Sequence, residues 1–388
     1  MGRSLSLQRT ILGSLLAVLA CGESRIDPDV PVVVQPARYG TDATLVLEDT
    51  VRRDIGGLAA RSEDEFDHLN GFLAGRTRSD GGLAVIDAHR VRLFDRDGAP
   101  TAVVGRQGRG PGEFLMLTAI CRVRDDRVLV FDQQRRVSEI DAAGTLVRQH
   151  TLPELTFASD GCFDDGSFLV QQLTRELMTD GGDALAVRYG ADGAVRDSIG
   201  RFPSPGFQGW SAFARLHAHG AWLYVADPRR SEVKRYRADG TLERILRTED
   251  APRPMRAEDA RYWLGGPVAA AGSGSRADAA TREVADVTWP FYRDLRIDAS
   301  GRLWIRDFPE DDEAPDRYAI YDSTFAFVGR LDLPRGPRRP VRNARPGAPA
   351  TAPGVAPIFV DALGDDVVLL IRDADGAAHF VTRRLRPR

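Results

Sequence analysis

Residues 117–152 read LTAICRVRDDRVLVFDQQRRVSEIDAAGTLVRQHTL. This stretch holds four strand-like runs, Leu117–Val123, Arg127–Asp132, Arg136–Asp141 and Thr145–Leu152, with turn residues between them. β-Branched and aliphatic residues dominate the runs, and no run is long enough for a helix of ordinary length. Four short antiparallel strands in one stretch form a sheet that buries neither face by itself. Such a unit is stable only when copies of it pack against one another.

Copies are present. Asp97-Gly98, Ala143-Gly144, Asp192-Gly193 and Asp239-Gly240 each separate two strand-like runs, and the glycines are 46, 49 and 47 residues apart. Glycine fits such a turn because a two-residue hairpin requires positive φ. A second signal precedes each turn. Gly82, Arg127, Gly166, Gly220, Gly301 and Asp366 lead into LAVID, VLVFD, SFLVQ, AWLYVAD, RLWIRD and VVLLIRD, and five of these six runs end in Asp. That Asp is expected to cap the next turn through its own side chain. The period predicts an all-β chain, a six-bladed β-propeller of four-stranded antiparallel blades, over residues 41–388. The last unit runs near Ile358–Ala362, Val367–Arg372 and Ala377–Leu385 and lacks a fourth strand. Residues 43–49 (ATLVLED) are expected to supply it, closing the ring and removing an exposed edge.

Two stretches interrupt the period. Residues 250–288 are an insertion between the fourth and fifth units, with helical composition at Arg256–Leu264, and they form either a lid over the ring or an elaborated loop. Residues 340–356 are rich in Pro and Ala and read as a loop.

The segment Gly105–Phe114 (GRQGRGPGEF) resembles the blade-joining motif of NHL-repeat propellers, and is closest to that of six-bladed propeller lipoproteins of environmental bacteria. The resemblance implies a crossover between blades made by Gly and Pro, with Phe114 as its anchor. It implies little about activity, because the fold hosts many functions. Related propellers include metal-dependent lactonases and lyases with their site in the central channel. An enzyme of that type is therefore the alternative to a non-catalytic ligand- or protein-binding propeller.

Residues 1–20 read as a signal peptide. Arg3 and Arg9 precede the short apolar run Ile11–Ala20, which is too short to span a bilayer. Val18-Leu19-Ala20-Cys21 resembles the lipobox of bacterial lipoproteins, which implies lipidation at Cys21 and a place in the cell envelope, at the outer membrane where there are two. Residues 21–40 then read as an extended tether.

Apolar residues are 43% of the chain, charged residues 28%, and the net charge is −3, which speaks against nucleic acid as a partner. No catalytic motif, cofactor motif or metal-type Cys/His spacing is found. His217-x-His219 is the one close histidine pair; it reads either as part of a metal site lacking a third ligand or as surface or capping residues. Cys121 and Cys162, 41 residues apart, sit either in a disulfide between neighbouring inner strands or as two buried thiols. Arg122, Arg215 and Arg296 each lie between apolar neighbours on inner strands, and Arg76 holds a similar place. Strand alternation sends them away from their apolar neighbours. They line a water-filled channel and bind a small anionic ligand, or else pair with acids such as Asp294 or Asp298. The partner is expected to be such a ligand or an envelope protein, and the chain a monomer.

Overall fold

The computed structural model describes residues 29–38, 43–56, 66, 75–152, 156–157, 161–172, 182–204, 214–227, 229–254, 288–308, 314–334, 355–373 and 376–388. Pro31–Arg388 forms one compact unit. The signal peptide, Cys21 and the helical part of the insertion fall outside the described residues. Among the described residues there is no α-helix.

Three short strands come first: β1 (Val32–Gln35), β2 (Thr44–Leu47) and β3 (Arg53–Gly56). Then follow antiparallel meanders. One comprises β4 (Gly75–Thr77), β5 (Leu83–Asp87), β6 (Arg90–Phe94) and β7 (Pro100–Val104). The next is β8 (Leu117–Arg122), β9 (Val128–Asp132), β10 (Arg136–Ile140) and β11 (Leu146–Thr151), within a residue or two of the runs expected from sequence. After the short β12 (Thr156–Phe157) come β13 (Gly161–Phe163), β14 (Phe168–Gln172), β15 (Gly182–Tyr189) and β16 (Val195–Ser204). They are followed by β17 (Arg215–Gly220), β18 (Trp222–Asp227), β19 (Glu232–Arg237) and β20 (Leu242–Thr248). Beyond residues 250–288 lie β21 (Asp294–Ile297), β22 (Leu303–Arg306), β23 (Asp316–Tyr321) and β24 (Phe327–Leu333). The chain ends with β25 (Val355–Leu363), β26 (Asp366–Arg372) and β27 (Ala378–Pro387).

The second strands explain why the sheets must stack. β5 and β9 are buried at every residue, on both faces. A half-buried sheet would show alternation instead. Each face lies in a core shared with the neighbouring sheet. Leu93 and Val104 pack with Leu117, Ile120 and Val130, and Val123 and Leu129 with Phe168 and Tyr189. Phe163 and Leu169 meet Leu216 and Leu223, and Tyr224 and Val233 meet Leu295 and Tyr321. Trp304 stacks on Phe359 with centroids 4.2 Å apart. Leu83 and Phe94 pack with Val368 and Phe380, so the last sheet lies against the first long meander. Each such buried side chain contributes about 1.5–3 kcal/mol relative to exposure.

The turns differ in detail from the two-residue hairpins expected. At Asp95–Ala99 the Asp95 amide donates to the Ala99 carbonyl (2.9 Å) and the Gly98 amide to the Asp95 carbonyl (3.1 Å). Gly98, at φ 91°, thus closes a three-residue loop. The Asp95 carboxylate accepts from the amides of Asp97 (3.0 Å) and Ala99 (2.8 Å). Asp141 and Asp322 repeat this. The expected capping by Asp at the end of the second strand is also present, at Asp132 and Asp227. The joint at Gly105–Phe114 folds as its composition implied. Phe114 is fully buried, Gly110 donates to Glu113 (2.8 Å), and a Cβ on Gly105 would lie 2.4 Å from the Phe114 ring.

Two N-terminal expectations are refined. β27 pairs antiparallel with β3 at residues 379–382, and with β2 only at its last residues, 385–387. β2 also lies parallel to β24. The strand beside the middle of β27 is therefore 53–56, not 43–49. The tether expected over residues 21–40 does not extend through its C-terminal part. β1 pairs parallel with β20, and Arg38, only 2% exposed, is held by Asp250 and Asp307. A polar, proline-spaced segment looks loose in sequence because its partners lie over 200 residues away.

Candidate functional site

The first strands of neighbouring meanders pack side by side: β4 with β8, β8 with β13, β13 with β17, β17 with β21, and β25 with β4. β21 meets β25 through the Ala299 amide, which donates to the Ala362 carbonyl (2.9 Å). These strands surround a small cavity of about 20 Å³ that opens to solvent. Arg76 enters it from β4, Cys121 and Arg122 from β8, Cys162 from β13, His217 and His219 from β17, and Asp361 from β25.

The four arginines singled out from sequence are placed differently. Arg76 and Arg122 line the cavity. Arg76 donates to the Gly75 carbonyl (2.8 Å), and among the described residues no carboxylate lies within ion-pair distance of it. Burial, joined by repulsion from Arg296, lowers its pKa to about 10. Arg122 donates to the Ala299 carbonyl (3.2 Å) and lies 3.7 Å from Asp126. Arg296 sits behind this wall, 7% exposed, with Nε donating to Asp294 (3.2 Å), one of the two pairings sequence had left open. Arg215 is turned to the Arg293 carbonyl (3.1 Å) and does not line the cavity.

The histidine pair is where sequence reasoning fell short. His217 and His219 are not surface or capping residues; both face the cavity, partly buried, from alternate positions of β17. The signal was available, because Arg215, His217 and His219 share one face by alternation. Among the described residues neither imidazole has a hydrogen-bond partner. Burial, then Arg76, His219 and Arg296, hold His217 well below the usual imidazole range. Burial and Arg122 lower His219 to about 4, although Asp164 opposes this.

Two carboxylates balance part of the charge. Burial raises Asp361 to about 6 against the pull of Arg76. Its oxygens accept from the amides of Thr77 (2.8 Å), Ala362 (2.8 Å) and Ala299 (3.2 Å), so it ties β4, β25 and the end of β21 together. Burial works to raise Asp294, but Arg296, Arg215 and Arg306 outweigh it and hold this group low. Cys121 and Cys162 form a disulfide between β8 and β13, with Cα atoms 5.8 Å apart, in the cavity wall. Among the described residues no three His, Cys, Asp or Glu side chains come together as a metal site.

No family model and no curated relative matches the chain. A protein from Bacteroides fragilis described as exported is 12% identical, and the likeness covers 92% of this chain and 99% of that one at a TM-score of 0.53. A DUF4221-family member from Bacteroides vulgatus is 9% identical, covering 90% of this chain and 100% of that one at 0.50. A gluconolactonase from Xanthomonas campestris is 14% identical, over 89% and 99%, but at 0.41 it supports no comparison of sites. At such identities the shared property is the fold, and the chain has an all-β fold of propeller type.

Proposed function

We propose that the chain is a six-bladed β-propeller, closed through its N-terminal strands, whose central channel binds a small anionic ligand through Arg76 and Arg122, with Arg296 adding positive potential from behind. On this reading it is exported and held at the cell envelope by a lipid on Cys21, and it works as a binding protein. The order in which first strands adjoin one another supports the ring, as does the core shared by the last sheet and the first long meander.

The observation that carries the binding reading is Arg76. A half-buried guanidinium beside Arg296 and Arg122, drawn by Asp361 and Asp294 but with neither in ion-pair contact, is costly to maintain. A carboxylate, sulfate or phosphate group would relieve that cost through paired hydrogen bonds. The neighbouring imidazoles offer further polar contacts, and Ile297 and the disulfide give the wall an apolar side. Charged groups gathered in a cleft with shifted pKa values are candidates for a binding site.

The test is to purify the protein without its signal segment under mild conditions and identify co-purifying small molecules by mass spectrometry. The Arg76→Met, Arg122→Met, Arg296→Met variant is treated alike. An acidic metabolite present with the wild type and lost with the variant is the expected result. Retention of the same molecule by the variant would remove the assignment.

A further inference from the structure

As an anion site alone, the cavity gives His217 and His219 no role beyond polar contacts. They occupy the same cavity as Arg76 and Arg122, from a strand that packs directly against the one carrying Arg296. Neither makes a hydrogen bond within the described protein, although each ring carries a donor and an acceptor. Two imidazoles without partners in a polar cleft are available to a ligand or to protons.

Resting on the anion-channel reading, we propose that the channel takes up protons on the His217–His219 pair when it binds its ligand, so that it selects a multiply charged oxyanion and holds it more tightly as pH falls. In the empty channel, protonating one ring places a fourth positive charge, and protonating both a fifth, in a half-buried cleft beside Arg76, Arg122 and Arg296. A dianion between these groups offsets much of that positive charge. The imidazolium then becomes a favourable partner that donates from both ring nitrogens. Linkage makes the effect reciprocal: if the anion raises the affinity for protons, protons raise the affinity for the anion by the same factor. A singly charged ligand would be satisfied by Arg76 and Arg122 alone and would draw in little further charge.

Other charged groups lie near the pair. Arg215 is on the same strand but turned to the Arg293 carbonyl, Asp164 at the end of β13 opposes the lowering of His219, and Asp294 on β21 acts on Arg76. Asp361, from β25, titrates in the same cavity and would also gain a proton as an anion arrives. The histidine contribution must therefore be separated from that of Asp361.

Sulfate is a suitable probe because it keeps its double charge throughout the neutral and mildly acidic range. It is titrated into the wild type by calorimetry between about pH 7.5 and about pH 5.5, in buffers of different ionisation enthalpy. The wild type is expected to bind at least about fivefold more tightly at the acid end, with measurable proton uptake. The His217→Gln, His219→Gln variant, checked for folding by circular dichroism, is expected to bind sulfate with a much flatter pH dependence. Chloride and nitrate are expected to show neither effect. Sulfate binding without pH dependence or proton uptake overturns this proposal and leaves the anion channel standing. An unchanged pH slope in the histidine variant assigns the uptake to Asp361 and also overturns it. No sulfate binding at any pH overturns both readings.

Discussion

Arg38 and Arg76 are both arginines withdrawn from solvent, and their surroundings differ. Arg38 Nε lies 2.6 Å from Asp250, Nη1 meets Asp307, Nη2 donates to the Phe291 carbonyl (2.9 Å), and the guanidinium lies 5.1 Å from the centre of the Tyr292 ring. It is surrounded by opposite charge and fixes the N-terminal segment to strands far along the chain. Arg76 bonds a single backbone carbonyl and faces a cavity shared with another arginine, two histidines and Asp361, whose carboxylate is spent on three backbone amides rather than on the guanidinium. A buried arginine with its acids is a structural bolt. One without them, turned toward an open cleft, is a group awaiting a counter-charge. Sequence alone shows the same residue type in both places.

The comparison can be broken most sharply at Arg38. Arg38→Ala leaves Asp250 and Asp307 buried without their cation, and is expected to cost about 3–5 kcal/mol in denaturant unfolding. Arg76→Ala is expected to change stability by less than about 1 kcal/mol, because it breaks no ion pair in direct contact and Asp361 keeps its three amide donors. Equal losses at the two sites would erase the distinction.

The cavity wall offers the next largest effect. The disulfide joins β8 to β13 across 41 residues. Replacing Cys121 and Cys162 together by serine is expected to cost about 2–4 kcal/mol, measured as a shift in the unfolding midpoint at constant slope. A smaller loss than that of Arg38→Ala would keep the order of the two tethers.

A functional contrast follows. The triple variant Arg76→Met, Arg122→Met, Arg296→Met is expected to weaken sulfate binding by at least about 100-fold, or about 2.7 kcal/mol. Arg215→Met, whose side chain is turned to the Arg293 carbonyl, is expected to weaken it far less. Isothermal calorimetry distinguishes the two.

The smallest effect concerns the seam between the chain termini. His379 on β27 bonds Asp54 on β3 (2.8 Å) and Asp373 (3.2 Å). Burial opposes its protonation, yet these carboxylates outweigh burial and raise its pKa. The stabilisation is therefore full below the ordinary imidazole range and is lost as pH rises through the raised value. Amide exchange at residues 53–56 is expected to quicken modestly across that window, beyond the intrinsic pH dependence, and not to do so in His379→Gln.

Much of the fold was legible because it is written repeatedly. The runs ending at Asp132 and Asp227 and the glycines at 98, 144, 193 and 240 follow from local hairpin chemistry, which acts within a few residues. The site was less legible because it takes one or two residues from each of several strands. Alternation pointed to Arg76 and Arg122, which line the cavity. The same rule extended from Arg215 to His217 and His219 would have put the pair, two residues apart, on the cavity face rather than at the surface. Arg215 itself was misjudged because a backbone carbonyl from β21's approach, invisible in sequence, captures it. The docking of Val32–Gln35 was hidden for the same reason, as its anchor depends on acids at 250 and 307.

The most direct test of the channel's role is a crystal structure of the protein soaked in selenate, read by anomalous scattering at the selenium edge. The account predicts a single dominant peak between Arg76 and Arg122, within hydrogen-bonding reach of His217 or His219. Selenate bound elsewhere on the surface, with that position occupied only by water, would contradict it.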